Sequence, residues 1–163
     1  MDTAYALITR YPNRKVRLLV GQGVLFLNRD LVFPSGHRRW WSGKTPFQVF
    51  LDIARRFDGR NEHTVIAHMR SEYMLSLVPD ARHFMYGVIS SAELDTIVRG
   101  SDEIITDYLV DVQDRGGSPT MLLRSGETRS IEPGSWLINC TGYIANRPPP
   151  YEPYLSAGGR VLT

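Results

Sequence analysis

Apolar residues recur with the period of an α-helix in four segments of the chain. The first covers about 1–11 and stops at Pro12; the second begins at Thr45, the third covers about 62–73, and a short fourth follows Ser90. Thr45 and Ser90 each start a capping box. One apolar face of each helix is predicted to be buried. These faces are Ala4, Leu7, Ile8 and Tyr11 in the first helix; Phe47, Phe50, Leu51, Ala54 and Phe57 in the second, which ends at Gly59; Val65, Ile66, Met69 and Tyr73 in the third; and Leu94, Ile97 and Val98 in the fourth.

Strand patterns occupy the remaining ordered segments. Residues 15–20 predict a strand that ends at Gly21, whereas 22–44 show no period and are predicted to be irregular. From residue 104 onward the period is two, which predicts a strand over 104–113. A meander then follows: a hairpin loop at 114–119, a strand at 120–124, a turn at 125–127, a strand at 128–131, a turn at 132–135 and a last strand at 136–140.

Composition places the chain among globular proteins and excludes several classes of function. Its 163 residues are 42% hydrophobic and 22% charged, enough apolar material for one real core. A net charge of +2 implies neither nucleic acid nor an anionic membrane as a partner. Cys140 is the single cysteine, so no disulfide can form within the chain. No apolar run reaches the roughly 18 residues of a membrane span, and no signal peptide is visible, so a cytoplasmic location is expected.

The stretch from Asn139 to Tyr143 is the most informative in the chain. A buried strand is predicted to break there into Asn, Cys, Thr and Gly, and small residues let a ligand or another backbone come close. In open α/β sheets, ligands bind outside the carboxyl ends of strands. The alternative is a strand followed by an ordinary polar loop. Cys140 itself is either a reactive thiol or, more commonly at a strand end, a small buried hydrophobe.

Several kinds of site are not expected from the sequence. His63 and His68 are five residues apart and do not share one helix face, so no metal site is predicted. Gly21-Gln22-Gly23 begins like a dinucleotide fingerprint, but Phe26 stands at the position of the third glycine. Neither a Walker A loop nor a serine-hydrolase elbow is present, and no residue is singled out as catalytic.

Trp40 and Trp41 lie beside Arg38 and Arg39 in a segment punctuated by proline and glycine. Two aromatic rings next to two guanidinium groups are suited to stacking on a base or an adenine ring. They are equally suited to a protein-docking patch or to a lid over a core. The sequence leaves these three interpretations open.

The segment Asn139-Cys140-Thr141-Gly142-Tyr143 resembles the "ATG" or "ATGY" segment of two-dinucleotide flavoproteins. These include flavin-containing and Baeyer–Villiger-type monooxygenases and the wider pyridine nucleotide-dependent oxidoreductases. The order of elements is similar as well: helix, strand, helical insertion, meander, then the strand that ends in Thr-Gly. The resemblance implies an α/β protein, an incomplete Rossmann-like three-layer nucleotide-binding domain whose first strand and Gly-rich turn are missing. It places this domain at 1–147, with a helical insertion at about 22–103 and an extended tail at 148–163.

The resemblance also implies cofactors and roles for particular positions. Thr141 and Gly142 would lie near the flavin of FAD, and Tyr143 matches the tyrosine of monooxygenase-type members. Cys140 replaces the usual alanine. NAD-selective members carry an acidic residue after the strand at 15–20, and this chain does not, which favours NADP(H). Arg29, Arg38 or Arg39 are the candidates for its 2′-phosphate.

The expected function is therefore that of a fragment of a flavin-dependent, NADPH-using oxidoreductase. It is not expected to be competent alone, because both Gly-rich fingerprints are absent from the sequence. A sheet edge left uncovered by the missing strand predicts a homodimer formed across that edge. The alternative function is a non-catalytic interaction module that binds a protein partner through 22–44 and the exposed edge.

Overall fold

The computed structural model describes residues 1–37, 40, 44–114 and 119–140, and this part of the chain is a mixed α/β protein. The chain divides into two compact units, Met1–Tyr108 and Leu109–Thr163. The first unit contains α1 (Asp2–Arg10), β1 (Arg17–Leu19), β2 (Val24–Asn28), α2 (Arg29–Val32), α3 (Pro46–Arg56), α4 (Glu62–Tyr73), β3 (Met74–Ser76), β4 (His83–Ile89), α5 (Ser91–Gly100) and β5 (Glu103–Ile105). The second contains β6 (Leu109–Asp114), β7 (Pro119–Leu123) and β8 (Thr128–Ser130).

The parallel pair β1–β5 is built from two helix-then-strand segments. α1 leads into β1 and α5 leads into β5, and Arg17 lies opposite Glu103 in the register. The two helices approach each other closely at Gly100, where an added Cβ would collide with the side chain of Ile8. Ala4, Ile89 and Ile97 form the buried centre beneath these elements. The predicted helix at 1–11 and strand at 15–20 are thus confirmed.

A second, three-stranded sheet has the order β3-β2-β4, with β2 antiparallel to β3 and parallel to β4. The prediction that 22–44 is irregular was wrong, because this segment supplies the central strand and the short helix α2. Residues 24–27 are all apolar and residues 24–28 are all half-buried, so the run carries no period of two. Its partners lie about fifty residues away in sequence, and their pairing makes it a strand.

α3 begins with the capping box that the sequence predicts. The Gln48 amide N donates to Thr45 Oγ1 at 3.3 Å, and the Thr45 amide N donates to Gln48 Oε1 at 2.8 Å. The helix ends at Arg56, before Gly59. Its predicted buried face was wrong: the residue that it buries is Val49, whereas the phenylalanines face solvent.

α4 and α5 agree better with the sequence. α4 has the predicted bounds and buries Val65 and Tyr73, although Ile66 is exposed. α5 begins with the predicted capping box at Ser90 and ends at Gly100, and its Ile97 is completely buried.

The second unit is an antiparallel meander in the order β6-β7-β8, as predicted. Gly126, with φ +90°, makes the turn between β7 and β8 and donates its N–H to the carbonyl of Leu123. The single strand predicted over 104–113 was wrong. It is two strands, because β5 pairs with β1 and ends at Ile105, whereas β6 pairs with β7 and starts at Leu109.

The buried strand predicted at 136–140 was also wrong. These residues form no strand, and Trp136 and Ile138 are exposed. Cys140 is exposed too, so it is not the buried small hydrophobe that its position suggested. An apolar run becomes a strand only when another strand pairs with it, and none of the described residues does so here. Thr141, Gly142, Tyr143 and the tail at 148–163 lie outside the described residues.

Candidate functional site

The carboxyl ends of β1 and β5 meet at one edge of their sheet because the two strands are parallel. The segments that follow the two strands remain hydrogen-bonded to each other. The amide N of Val20 donates to the carbonyl of Ile105 at 3.0 Å, and the amide N of Gly21 donates to the carbonyl of Asp107 at 3.1 Å. Such an edge is the usual location of ligand sites in α/β sheets. We call the polar side chains gathered here the edge cluster: Gln22, Arg82, His83 and Tyr108.

The turn at 21–23 requires glycine at both of its ends. Gly21 and Gly23 have φ of +59° and +75°, and the Gly23 amide N donates to the Val20 carbonyl at 2.8 Å. A Cβ on Gly21 would lie 2.8 Å from Cε1 of Tyr108, and a Cβ on Gly23 would lie 2.9 Å from Cα of Ala81. The close approach that these glycines permit is therefore to the protein itself. β2, not a helix, follows the turn, unlike the phosphate loop of a dinucleotide fingerprint.

Two backbone hydrogen bonds bring the start of β4 to this turn. The amide N of Arg82 donates to the carbonyl of Gln22 at 3.1 Å, and that of His83 donates to the carbonyl of Gly23 at 3.2 Å. The side chains of Arg82 and His83 are exposed, and His83 Nε2 lies 3.3 Å from the hydroxyl of Tyr108. The edge cluster therefore presents the guanidinium group of Arg82 together with the hydrogen-bonding side chains of Gln22, His83 and Tyr108.

This composition suits an anion, because a guanidinium group binds phosphate oxygens in a planar, charge-assisted geometry. The turn itself contains no carboxylate. The acidic side chains nearest in sequence to the edge cluster are Asp107, which is half-buried and accepts a hydrogen bond from the amide N of Tyr108 at 2.7 Å, and Asp80, which is exposed and lies two residues before Arg82.

The site residues predicted from the sequence do not come together in the described part of the chain. Arg29 forms an ion pair with Glu93, which also belongs to the α5 capping box, so Arg29 has a structural role. Arg38 and Arg39 lie outside the described residues, as do Trp41 and the segment from Thr141 onward. Trp40 is exposed. Cys140 belongs to the second unit and is exposed, and the Cys140 thiol has no assigned role.

The residues of the edge cluster could not be predicted as a group from the sequence. Arg82 precedes and His83 begins β4, a strand that was not predicted. Tyr108 follows β5, whereas the predicted strand continued to residue 113. The one available signal was Gly21-Gln22-Gly23 directly after a predicted strand, which marks an edge but not the residues around it.

A second polar group links α3 to α4. The hydroxyl of Tyr73 donates to Asp52 Oδ2 at 2.6 Å and accepts from Lys44 Nζ at 2.6 Å. His68 Nε2 lies 3.0 Å from the same Oδ2, and Arg56 Nε donates to Oδ1 at 3.2 Å. These hydrogen bonds hold the pKa of Asp52 well below its usual range. The bond from Tyr73 has the largest effect, and the bond with His68 has the next largest. We call Lys44, Asp52, His68 and Tyr73 the α3–α4 network.

The α3–α4 network is suited to holding two helices rather than to catalysis. The ring of Tyr73 is buried, with its edge towards the ring of His68, so its hydroxyl is enclosed by protein partners. The hydrogen bond to Tyr73 raises the pKa of Lys44, so Lys44 remains a cation at neutral pH. A nearby cleft of about 260 Å³ is lined, among the described residues, by Val32, Phe33, Pro34, Thr45 and Pro46, none of which is ionisable. The described residues also contain no group of three potential metal ligands.

The chain matches no protein-family model, no curated protein and no solved structure. Among the described residues, no helix has the length and apolar character needed to cross a membrane.

Proposed function

We propose that this chain is a fragment of the NAD(P)H-binding half of a flavin-dependent oxidoreductase, related to the flavin-containing and Baeyer–Villiger-type monooxygenases. The observation that carries the proposal is the edge cluster at the carboxyl ends of the parallel strands β1 and β5. A helix leads into each of these strands, which is the arrangement of a Rossmann-like domain. The order α1, β1, an inserted segment and then a meander is part of the order that the resemblance implies, although the insertion contains strands as well as helices and residues 136–140 form no strand.

The cofactor that best suits the edge cluster is NADPH rather than NADH. In Rossmann domains an acidic side chain after the strand binds the ribose hydroxyls of NADH, whereas a nearby arginine accommodates the 2′-phosphate of NADPH. This chain has Gln22 in the turn and Arg82 hydrogen-bonded to it through the backbone. Arg82 therefore joins Arg38 and Arg39 as a candidate ligand of the 2′-phosphate, whereas Arg29 is paired with Glu93.

The described residues fit only the adenosine end of the nucleotide. Hydride transfer would be supplied by NADPH and FAD themselves, and the protein would hold and orient them. By the resemblance, Thr141 and Gly142 would face the flavin. The described residues contain no Gly-rich turn that leads into a helix, the device that binds a pyrophosphate. Weak binding of the adenosine end is therefore the activity expected of this chain.

The test titrates the full chain with 2′,5′-ADP, the half of NADPH that carries the extra phosphate, and with 5′-AMP, while amide resonances are followed by NMR. We expect 2′,5′-ADP to shift the resonances of Gln22, Arg82, His83 and Tyr108 and to bind more tightly than 5′-AMP. Arg82→Ala removes a charge-assisted contact and should weaken 2′,5′-ADP roughly tenfold or more. Arg99→Ala, which removes an exposed arginine from α5, is the matched control and should change nothing.

Two results would contradict the proposal. One is equal affinity for 2′,5′-ADP and 5′-AMP, which would show that no group recognises the 2′-phosphate. The other is an equal loss of affinity in Arg82→Ala and Arg99→Ala, which would reflect net charge alone.

A second candidate function is a non-catalytic interaction module. The observation that favours it is the row of exposed phenylalanines on α3, since a contiguous exposed apolar patch commonly marks an interaction site. Absence of any nucleotide-induced shift in the edge cluster, combined with association through α3, would favour this function over the first.

A further inference from the structure

The apolar residues of α3 form a stripe that faces solvent. Phe47, Phe50, Leu51 and Ala54 of α3, together with Phe57 directly after its last residue, have the spacing of a helix-pairing seam, and we call them the α3 stripe. Phe47 is 74% exposed, Phe50 63% and Phe57 50%. No acidic or basic residue interrupts the stripe. Exposed aromatic area of this size is unfavourable in water, so a helix that presents it is suited to association.

The interior contacts of α3 explain why this stripe points outward. Val49, which is 2% exposed, packs with Val32 and Tyr73 on the opposite side of the helix, and Ile53 packs against the same group. Asp52 lies on that side as well, bound by the hydroxyl of Tyr73. Turning the stripe inward would break the α3–α4 network and leave the Asp52 carboxylate without its partners, which is costly. The outward orientation is therefore held in place by buried contacts.

The stripe is symmetric about Asp52. Phe47 and Phe57 each lie five residues from that position, and Phe50 and Ala54 each lie two residues from it. An antiparallel second copy would therefore place its Phe57 opposite Phe47 and its Ala54 opposite Phe50, so that a large side chain meets a small one. We propose that the α3 stripe is a homodimer interface in which two copies of α3 pair antiparallel about a twofold axis at Asp52.

The helix dipoles favour an antiparallel pair, because the positive N-terminus of each copy lies beside the negative C-terminus of the other. Arg55 and Arg56 in the last turn oppose it, since they would lie near the other copy's N-terminus, where the first turn has no acidic residue. Asp52 is level with the twofold axis but lies on the far side of α3, where it binds the hydroxyl of Tyr73, so the two Asp52 carboxylates do not meet at the contact.

The available area predicts a weak dimer. A buried aromatic side chain removes about 150–250 Å² from water, so the exposed parts of three phenylalanines provide on the order of 300–450 Å² in each copy. With Leu51 and Ala54 added, the total area buried by the two copies remains near or below about 1,200 Å², the lower end of the range for stable interfaces. Association should therefore depend on concentration rather than be permanent. The dimer is independent of the proposed nucleotide site.

The experiment is sedimentation velocity on the full chain over a wide range of concentration. The wild-type chain should pass from monomer to dimer, and Phe50→Lys and Ala54→Glu should each remain monomeric at every concentration. An equimolar mixture of these two variants should associate again, because the antiparallel register sets position 50 of one copy against position 54 of the other. Circular dichroism should show both variants folded, since the two positions face solvent. Trp136→Lys is the matched control, because it charges an exposed aromatic residue of the second unit, and it should dimerise like the wild type.

Each alternative outcome overturns the proposal. A wild-type chain that is monomeric throughout, or a Phe50→Lys variant that still dimerises, excludes the α3 stripe as the interface. A mixture that fails to associate excludes the antiparallel register. Loss of the dimer in Trp136→Lys alone assigns it to the second unit. A monomeric chain that binds anionic lipid vesicles through Phe50 assigns the stripe to a membrane surface instead.

Discussion

α3 and α5 have the same kind of N-terminal cap, similar lengths and one apolar face each, but the apolar face is exposed in α3 and buried in α5. Each begins with a complete capping box, and they have 11 and 10 residues. In α5 the apolar face covers the core, where Ile97 packs with Ala4 and Ile89. In α3 the apolar face is exposed, and the helix is attached to the protein through Val49 and the α3–α4 network.

The difference shows what helical periodicity can predict. The spacing of apolar residues identifies which side of a helix is apolar, and a capping box identifies where the helix starts. Neither determines which side another element will cover. In α3 the buried side chain of Val49 and the hydrogen bonds of Asp52 set the orientation of the helix, although three phenylalanines are then exposed. Removing the partners of the Asp52 carboxylate would be costly in free energy.

The largest expected effect is that of a buried side chain in each helix. Ile97→Ala should lower the free energy of unfolding by about 2–5 kcal/mol, because it leaves a cavity in the core. Val49→Ala should cost less, about 1.5–3 kcal/mol, since the lost side chain is smaller. Urea unfolding of both variants measures the two values. If Val49→Ala were neutral, Val49 would not be the residue that anchors α3.

The next effect should be equal in the two helices. Ser90→Ala and Thr45→Ala each remove the side-chain acceptor of a capping box and should each cost about 1 kcal/mol. Thermal unfolding followed by circular dichroism provides the comparison, with Thr96→Ala in α5 as the control outside the cap. A much smaller cost at Thr45 would show that α3 depends on its tertiary contacts and not on its cap.

Acid should weaken the cap of α5 through Glu93. The amide N–H of Ser90, and then the side chains of Arg29 and Ser90, hold the pKa of Glu93 below its usual 4.5. The folded chain thus binds this proton less tightly than the unfolded chain. The contribution of Glu93 to the free energy of unfolding is fully present above the pKa of the unfolded chain, and it is lost as pH falls through the lower pKa of the folded chain. Glu93→Gln should therefore flatten the decline of melting temperature with falling pH. An unchanged slope would assign the acid response to other groups, including Asp52.

The smallest expected effect is on the exposed stripe. Phe47→Ser should change monomer stability by no more than about 0.5 kcal/mol, because the side chain is already mostly in water. The matched substitution Val98→Ser in α5 removes a less exposed apolar residue and should cost at least as much. Both are measured by urea unfolding at a concentration where the chain is monomeric. A large loss in Phe47→Ser alone would mean that the stripe packs within its own copy.

Much of the fold follows from local sequence signals, but the candidate site does not. The helices at 1–11, 62–73 and after Ser90, the start of α3 and the meander were all predictable, because caps, turns and periods act over a few residues. The central strand β2 and the absence of a strand at 136–140 were not, because a strand exists only with a partner. Arg82 and His83 reach Gln22 and Gly23 only through pairing with residues about sixty positions away.

By itself, the sequence determined where α1, α3, α4 and α5 begin, that a meander follows residue 108, and that no acidic residue stands at 21–23. The tertiary structure alone decided that Arg82, His83 and Tyr108 gather at the carboxyl edge of β1 and β5, and that α3 shows its phenylalanines to solvent. The physical reason is the range of the forces concerned. Capping and backbone preference are settled between near neighbours, whereas burial and strand pairing depend on partners that only the folded chain brings together.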